Sequence, residues 1–453
     1  MKIAMVNQPW SACPPRGSAD SIAILADDMS RRLAGPHELT VYAPRFDGES
    51  AEESIAGLCY RRVSRYLDYP LKPLRLLDRM GIGNPRRPHV ASRLYSLGYI
   101  LQVARDTSRR RCDIIHLHNF SQYVPIVRHF NPRAKIVLHM HCDWLTMLDE
   151  KLVRPRIAKA DMVLGVSDFV TSRLKARFPE FADRFHTLYN GVDSHEFRPA
   201  DADSIPAEPN RLKVICVGRV SPEKGIHTLI DAFEKVLQKF PSATLDIIGP
   251  GRTGSREFLD PCREERLLDE MDRFFRDRES YVPFLQSKLS PIAKKAVRFV
   301  GCVPHEKLLS YYQAADVFVI PSVIHEPFGI PLAEAMACGL PVVATRGGGF
   351  PEILDNHATG EMVARGDAAE MAGAIDRLLA NPQLRRTQGQ AGRQRFLEHF
   401  SWDVVMPKLE ELYEQLGARA DRPQAATNIE LASAPPVRGR WIDETTAQEL
   451  THR

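Results

Sequence analysis

No stretch of the 453 residues approaches the roughly 18 uninterrupted apolar residues of a membrane-spanning helix. The opening MKIAMVNQPW holds one lysine and then a strand-like run, without the apolar core and small-residue cleavage site of a secretory signal. Cysteine is sparse and scattered: Cys13, Cys59, Cys112, Cys142, Cys216, Cys262, Cys302 and Cys338 form no CxxC pair and no zinc-ligand cluster with histidine. That usage fits reduced thiols and a cytoplasmic location. Neither sign of charge dominates, with 61 Lys and Arg against 57 Asp and Glu for a net +4. The strongly basic face of a nucleic-acid binder is therefore missing, and no nucleic-acid partner is expected. A GxGxxG after the first strand is also missing, which argues against a dinucleotide-dependent dehydrogenase. No repeat recurs at a period of about 20–50 residues.

What remains is an ordinary globular composition, 44% hydrophobic and 26% charged, on a chain long enough for two or three domains. Short β-branched runs alternate with helical spacing. Lys2–Asn7, Glu38–Ala43, Asp113–His118, Lys135–His141 and Met162–Ser167 read as strands, with a helix over Ser18–Leu33. The rhythm restarts at Leu212–Val217 and continues through Thr244–Ile248, Val297–Gly301, Val317–Ile320 and Pro341–Thr345, with a helix over Gly225–Phe240. Strands separated by helices imply parallel sheets covered on both faces. The pattern predicts an α/β chain of two doubly wound, Rossmann-like domains, divided at the polar, Pro-containing stretch Ala200–Arg211. Gly251–Lys295 reads as a charged insertion holding one or two helices, and the tail after about Ala418 as disordered.

Two loops at strand carboxyl ends carry the chemistry, because ligands of open α/β sheets bind there. His325-Glu326-Pro327-Phe328-Gly329-Ile330-Pro331-Leu332-Ala333-Glu334 follows one strand and enters a helix over Leu332–Cys338. Backbone amides of Phe328, Gly329 and Ile330 at the helix start make an anion site. Glu326 sits in the loop and Glu334 about two turns into the helix system. Two carboxylates beside an anion site suit a ligand with hydroxyls on both sides of a diphosphate. Taken alone, the pair fits helix-capping acids on a surface equally well. The second loop, Gly218-Arg219-Val220-Ser221-Pro222-Glu223-Lys224-Gly225, brings two cations that would neutralise a departing diphosphate. Alone it also reads as a solvated basic loop.

Other features are weaker. His116, His118, His139 and His141 lie at strand ends with i, i+2 spacing, which places each pair on one face. A four-histidine zinc site is geometrically open, but no supporting carboxylate is identifiable. One or two of them lining a polar cleft is the better reading, with His116 a satisfied core residue. Asp201-Ala202-Asp203 has the form of a metal-binding DxD but falls in the linker, and Gly347-Gly348-Gly349 lacks the dinucleotide spacing.

At these residues the chain resembles the retaining glycosyltransferases of family 4, which have the GT-B fold. The resemblance spans residues 1–415. Glu326 and Glu334 meet the family's Glu-x7-Glu pattern, and Gly218, Arg219, Lys224 and Gly225 its GR-x4-KG loop. Tyr189-Asn190-Gly191-Val192-Asp193, Ala314-Ala315-Asp316-Val317-Phe318-Val319, Gly348-Gly349-Phe350-Pro351-Glu352-Ile353 and Phe400-Ser401-Trp402 also match. The resemblance implies an acceptor-side domain over 1–199 and a donor-binding domain over 200–400. A helix over 401–417 would cross back to the first domain, ahead of a tail over 418–453. It implies a nucleotide-sugar donor, UDP- or GDP-linked, and a metal-independent transfer with no cofactor. Arg219 and Lys224 would hold the diphosphate, Glu334 the ribose and Glu326 the transferred sugar. The amides of Phe328, Gly329 and Ile330 would hold sugar or phosphate, and the base would pack near Val303. His141 would reach the reacting carbon, and the acceptor would enter near Gly17, Ser18 and Asn190. The family's first-loop Gly-Gly is Gly17-Ser18 here, and Cys142 follows His141 where an acid or amide is common.

Rival readings are a non-hydrolysing sugar-nucleotide epimerase, which would need no acceptor, and a non-catalytic nucleotide-sugar-binding protein. The Glu spacing argues against the first, and retention of Arg219, Lys224 and Glu326 against the second. Arg61–Arg111 is rich in arginine interleaved with leucine. It reads as a solvated helix face or as a patch for an anionic membrane and a lipid-linked acceptor, and the acceptor hydroxyl is that of a glycan, a glycolipid or a small molecule.

Overall fold

The computed structural model describes residues 1–15, 20–74, 84–200, 212–251, 271–276 and 280–420. Gly17, Ser18, Asp201–Asp203, the linker to Arg211, Cys262 and most of the tail lie outside the described residues.

The first sheet holds β1 (Lys2–Val6), β2 (Glu38–Pro44), β3 (Glu52–Ile55), β4 (Leu58–Val63), β5 (Ile114–His118), β6 (Lys135–Met140), β7 (Met162–Gly165) and β8 (Phe185–Thr187). Their spatial order is β3-β4-β2-β1-β5-β6-β7-β8. Every pairing is parallel except β3 with β4. The second sheet holds β9 (Lys213–Val217), β10 (Thr244–Ile248), β11 (Val297–Gly301), β12 (Val317–Ile320), β13 (Val342–Thr345) and β14 (Glu361–Val363), in the order β11-β10-β9-β12-β13-β14. It is parallel throughout. Both orders reverse beside the first strand of their sheet, and such switch points open a crevice above the strand ends. Ile3 to Val6 of β1 and Val317 to Ile320 of β12 are buried without alternation, as helices on both faces of a parallel sheet require.

Local chemistry sets the helix starts. Asp20 caps Ser21–Leu33 by accepting from the Ala23 amide at 3.0 Å, so the helix begins three residues later than its apolar spacing suggested. Ser167 caps Asp168–Arg177 in the same way. The charged segment between β10 and β11 is not surface decoration in its described part. Phe274, Tyr281, Leu285 and Ala293 join the core against Leu229, Phe233 and Val236 of the helix Ile226–Lys239.

The last helix, Trp402–Ala420, is seated on the first sheet rather than the second. Trp402, Val405, Leu409, Leu412 and Tyr413 are buried with Ile3, Met5, Val41 and Ile114. Each such side chain contributes about 1.5–3 kcal/mol on burial. The crossing is fixed at Val192, whose amide donates to the Phe400 carbonyl at 2.9 Å and whose carbonyl accepts from the Trp402 amide at 3.2 Å. Arg32 donates to Asp193 at 2.6 Å within the first half, and a side-chain clamp joins the halves where the Glu352 carboxylate accepts from the Asp168 and Phe169 amides at 2.6 Å each.

Candidate active site

The basic loop leaves β9 and turns at Gly225, which has φ +69°. A Cβ there would sit 2.0 Å from the Pro321 carbonyl oxygen, so only glycine lets this loop press against the end of β12. The close approach brings the loop's cations to the Glu326 segment. Lys224 Nζ donates to Glu326 Oε1 at 2.6 Å, and the Ser322 hydroxyl donates to the same oxygen. Glu326 is buried. Burial alone would raise its pKa, but the Lys224 cation, the Ser322 hydroxyl and Arg219 outweigh it and hold the carboxyl below its usual range. Arg219 donates to Glu223 at 2.8 Å, and Ser221 donates to the same Glu223 oxygen at 2.7 Å. Each diphosphate-binding candidate is thus paired with a buried acid.

The helix after Glu326 runs from Ile330 to Ala337, two residues earlier than its sequence indicated. As the fifth residue of this helix, Glu334 lies just over one turn in, not the two expected. The first helical amides taken up are those of Leu332 and Ala333, both on the Gly329 carbonyl. The amides of Phe328, Gly329 and Ile330 stand ahead of that ladder, as an anion site needs. Glu334 is buried and doubly held: His305 Nε2 donates to Oε1 at 2.8 Å and the Tyr312 hydroxyl to Oε2 at 2.7 Å. Burial opposes charge on His305, yet the Glu334 bond and the Glu334, Glu196 and Asp28 charges push its pKa up to about 9.

Gly347-Gly348-Gly349 proves to be part of this site although it is no dinucleotide fingerprint. Gly348 has φ +62°, and a Cβ on it would stand 2.0 Å from the Glu326 carbonyl oxygen. The Gly349 amide donates to that carbonyl at 2.7 Å, and the Gly348 amide to His325 Nδ1 at 2.9 Å. The glycines after β13 are the floor on which the Glu326 loop rests.

Buried His116, His118 and His139 and half-buried His141 form one group. His116 Nδ1 meets the Tyr413 hydroxyl at 2.7 Å, and its Nε2 meets His139 Nδ1 at 3.1 Å. His118 Nδ1 meets His141 Nε2 at 2.9 Å, and its Nε2 meets Met5 Sδ at 3.2 Å. Candidate ligand atoms of His116, His118 and His139 lie within 4.8 Å of one another. His139 Nε2 is buried without a hydrogen-bond partner; the other nitrogens of the three are engaged within the group, with His141, with Tyr413 and with Met5, and no carboxylate supports them in these bonds. His116 is a satisfied core residue and His141 alone of the four lines the cleft. Burial lowers the His141 pKa to about 3, against a smaller opposing effect of Asn190, so the ring is uncharged.

These groups converge on one cavity of about 490 Å³. Arg219, Lys224, Val303, Glu326, Phe328, Gly329, Ile330 and Glu334 line it from the second half, and His141 and Asn190 from the first. Gly17 and Ser18 lie outside the described residues, but Ser21 and Ile22 of the following helix reach the same cavity. The arginine-rich segment is less cationic in space than in sequence. Arg62 pairs with Glu53, Arg61 and Arg110 with Glu52 and Asp106, and Arg87 with Asp149. Glu52, Glu53 and Asp149, acids from outside the segment, offset part of its charge, which a count along the chain does not register.

Sequence reasoning missed His305, Tyr312, Glu223 and Ser322. Their signal is positional: each lies at or just after a strand carboxyl end or on the helix packed beside one. Two family models match end to end, "Glycosyltransferase Family 4" over residues 22–196 and "Glycosyl transferases group 1" over 197–395. A relative from Mycolicibacterium smegmatis, a GDP-mannose-dependent alpha-(1-6)-phosphatidylinositol monomannoside mannosyltransferase, is 29% identical over 87% of this chain and 94% of its own. Spore coat protein SA of Bacillus subtilis is 24% identical over 92% of this chain and 100% of its own. Among solved structures, a sucrose-phosphate synthase from Thermosynechococcus elongatus superposes with TM-score 0.67 at 22% identity, covering 92% of this chain and 99% of that one. Anabaena Alr3699/HepE in complex with UDP and glucose does so with TM-score 0.65 at 18% identity, covering 91% and 99%. The matched models, the two parallel sheets and the cavity between them agree with the expectation from Glu326, Glu334, Arg219 and Lys224: the chain belongs to the family 4 glycosyltransferases and has the GT-B fold.

Proposed function

We propose that the protein moves a glycosyl unit from a UDP- or GDP-linked donor to an acceptor hydroxyl with retention of anomeric configuration. The observation that carries this reading is the convergence of Arg219, Lys224, Glu326, Glu334 and the Phe328–Ile330 amides on one cavity. Glu334, its two oxygens oriented by His305 and Tyr312, keeps further lone pairs for the vicinal hydroxyls of a ribose. Arg219 and Lys224 take the diphosphate, exchanging their present carboxylate partners for phosphate oxygens. Glu326, released from Lys224, accepts from hydroxyls of the transferred sugar. In the transfer, the bond from the anomeric carbon to the phosphate oxygen breaks and the bond to the acceptor oxygen forms on the same face. The acceptor's proton passes to the departing phosphate oxygen. Two cations beside that oxygen stabilise the growing charge, the part a metal ion plays elsewhere. The names of the relatives support a donor of this class: one is GDP-mannose-dependent, and Anabaena Alr3699/HepE was solved with UDP-glucose.

A lipid-linked or envelope-polysaccharide acceptor and a peripheral seat on an anionic membrane complete the proposal. No helix among the described residues is long and apolar enough to cross a membrane. Tyr66, Leu67, Tyr69 and Leu94 are nevertheless exposed on the first domain. Asp68 holds the 66–69 segment at the start of the helix Leu97–Arg110 by accepting from the Gly98 amide at 2.7 Å and the Tyr99 amide at 3.1 Å. Exposed Arg86 and Arg93 lie in the same stretch of chain. Co-sedimentation with phosphatidylglycerol vesicles should fall when Tyr66 and Leu67 become serine, and unchanged binding would remove the membrane part.

The test of the main reading is a panel of UDP-, GDP-, ADP- and dTDP-sugars, with nucleotide release and thermal shift followed together. Slow release from one donor, abolished in Glu326→Ala and Lys224→Ala, is expected, with the product anomer then read by NMR. Neither binding nor release with any donor would overturn it.

A further inference from the structure

The helix Asp168–Arg177 of the first half begins against the second half, and its first turn touches the supports of Glu326. Ser167 caps that turn, and a Cβ on Gly349 would come within 3.1 Å of the Ser167 Cβ. The Phe169 ring is stacked on the His325 ring, with centroids 5.5 Å apart and planes 23° from parallel. Arg173, one turn further on, holds its guanidinium 5.3 Å from the centre of the Phe169 ring and pairs with buried Asp143 at 2.6 Å. Phe169 is thus backed by its own half. His325 is also held by its edge, its Nδ1 accepting from the Gly348 amide at 2.9 Å. That bond fixes one atom of the ring and leaves rotation about it, whereas the stacked face fixes the plane. The next residue is Glu326, whose carbonyl accepts from the Gly349 amide at 2.7 Å. A path of contacts therefore runs from Asp143 through Arg173, Phe169 and His325 to the residue that pairs with Lys224. The Glu352 carboxylate accepts from the backbone of the same helical turn, so it joins the halves at the helix end, while the Phe169 ring reaches the Glu326 loop.

We propose that Phe169 is a positioning residue for Glu326: stacked on His325, it holds the Glu326 loop in place from the other half of the molecule. The Glu326 carboxylate is then set against Lys224 only while the first half is docked. The consequence for catalysis rests on the transferase reading. Arg219, Lys224 and Glu334 all belong to the second half and bind nucleotide without help from Phe169. The contact of Glu326 with the transferred sugar depends on the loop, and so on the stack.

Hydrogen exchange in the intact, substrate-free protein reads the loop directly, by mass spectrometry with fragmentation to single residues. In Phe169→Ala the Gly348 and Gly349 amides should exchange roughly two- to tenfold faster, as loss of one aromatic contact implies. The amides at 168 and 169 should keep their protection, because Glu352 still accepts from them. Phe169→Tyr should restore the wild-type rates, and in a His325→Ala background Phe169→Ala should add nothing further. Unchanged exchange at Gly348 and Gly349 in Phe169→Ala overturns the proposal. Equal loss of protection at 168 and 169 does so too, since it means only that the halves have parted, and so does an additive double variant. If Phe169→Ala does not fold, Phe169→Leu, which keeps apolar bulk without the ring, is held to the same outcomes. With UDP-glucose and GDP-mannose as donors, kcat for nucleotide release should fall by a similar factor while the affinity for UDP and GDP stays unchanged. Lost nucleotide affinity with kcat intact overturns the positioning role. Because the exchange is read without substrate, failure of every donor would strike the transferase reading alone, and the exchange rates would still decide this one.

Discussion

Replacing Lys224 by methionine keeps most of the apolar stem of the side chain and removes the charge that faces Glu326. The Glu326 carboxylate would then stand buried with the Ser322 hydroxyl as its remaining close donor. Breaking a buried pair by deleting one partner costs about 3–5 kcal/mol. The Lys224 side chain is 26% exposed against 7% for Glu326, so water screens one end of the pair. That lowers the expected loss to about 2–3 kcal/mol. At about 2–4 °C per kcal/mol for a domain of this size, the melting temperature should drop by about 4–12 °C near pH 7.

The pH dependence separates this cause from loss of packing. The folded-state pKa of Glu326 lies below its ordinary value, so the pair's contribution is present above the unfolded pKa and is lost as pH falls through the lower folded one. In Lys224→Met the largest influence opposing desolvation is gone, Ser322 and Arg219 remaining, and the carboxyl rises instead. The mutant's deficit should therefore shrink as pH is lowered toward about 5, because a protonated Glu326 needs no partner. Scanning fluorimetry from pH 5 to pH 8 reads this, with the double variant Lys224→Met/Glu326→Gln expected to recover part of the loss. A deficit independent of pH, or a double variant that simply adds the two single losses, would refute the reasoning. Turnover should fall by about 10²–10³-fold in either single variant, as for removal of one preorganised contact to developing charge.

Three further outcomes follow from other contacts. Gly191→Ala should destabilise by about 1–3 kcal/mol or more by thermal melting, because its Cβ would meet the Trp402 ring at 2.2 Å. Glu352→Ala should cost about 1 kcal/mol, as for a lost helix cap. It should also lower kcat/KM in donor-panel kinetics, since the carboxylate ties the second half to the Asp168 and Phe169 amides of the first. His305→Gln should lower the melting temperature most near pH 6 and least above pH 9. The folded pKa of about 9 exceeds the unfolded value, so the stabilisation is whole below about 6.5 and is lost as pH rises through 9.

The strands nearest the centre of each sheet were legible in the sequence because burial on both faces leaves a run of β-branched residues with no polar interruption, as in Val317–Ile320. Of the edge strands only Val297–Gly301 was. Glu52–Ile55, Phe185–Thr187 and Glu361–Val363 are short, and two begin with an acid, so their local signal is that of a loop. The carboxylate and cation positions were legible because a loop between strand and helix can place its side chains almost nowhere but the crevice. Their partners were hidden because pairing is a matter of distance in space: Glu223 and Lys224 are neighbours in sequence, yet one binds Arg219 and the other Glu326. The same reason accounts for the arginine segment. Arg62 is buried, and the Glu53 that pairs with it lies outside the window in which the charges were summed.

These pairings also bear on how one cleft can both bind and release a charged nucleotide. Arg219, Lys224 and the protonated His305 face Glu223, Glu326 and Glu334, so positive and negative groups of the donor side stand in equal number before any ligand arrives. A diphosphate does not enter a field of unbalanced positive charge. On the proposed function it would compete for two cations that already have partners, each phosphate contact being offset by a carboxylate contact given up. The net attraction is then smaller than two bare cations would supply, and affinity depends more on the ribose, base and sugar contacts. Those contacts include ones that a freed Glu326 makes only when a sugar is present to receive it. Such exchange favours the intact donor over the nucleotide alone, because only the donor offers hydroxyls to Glu326 once Lys224 has turned to phosphate. On the proposed function, once the sugar has left, Glu326 would reclaim Lys224 and the grip on the diphosphate would loosen by the strength of that recovered pair.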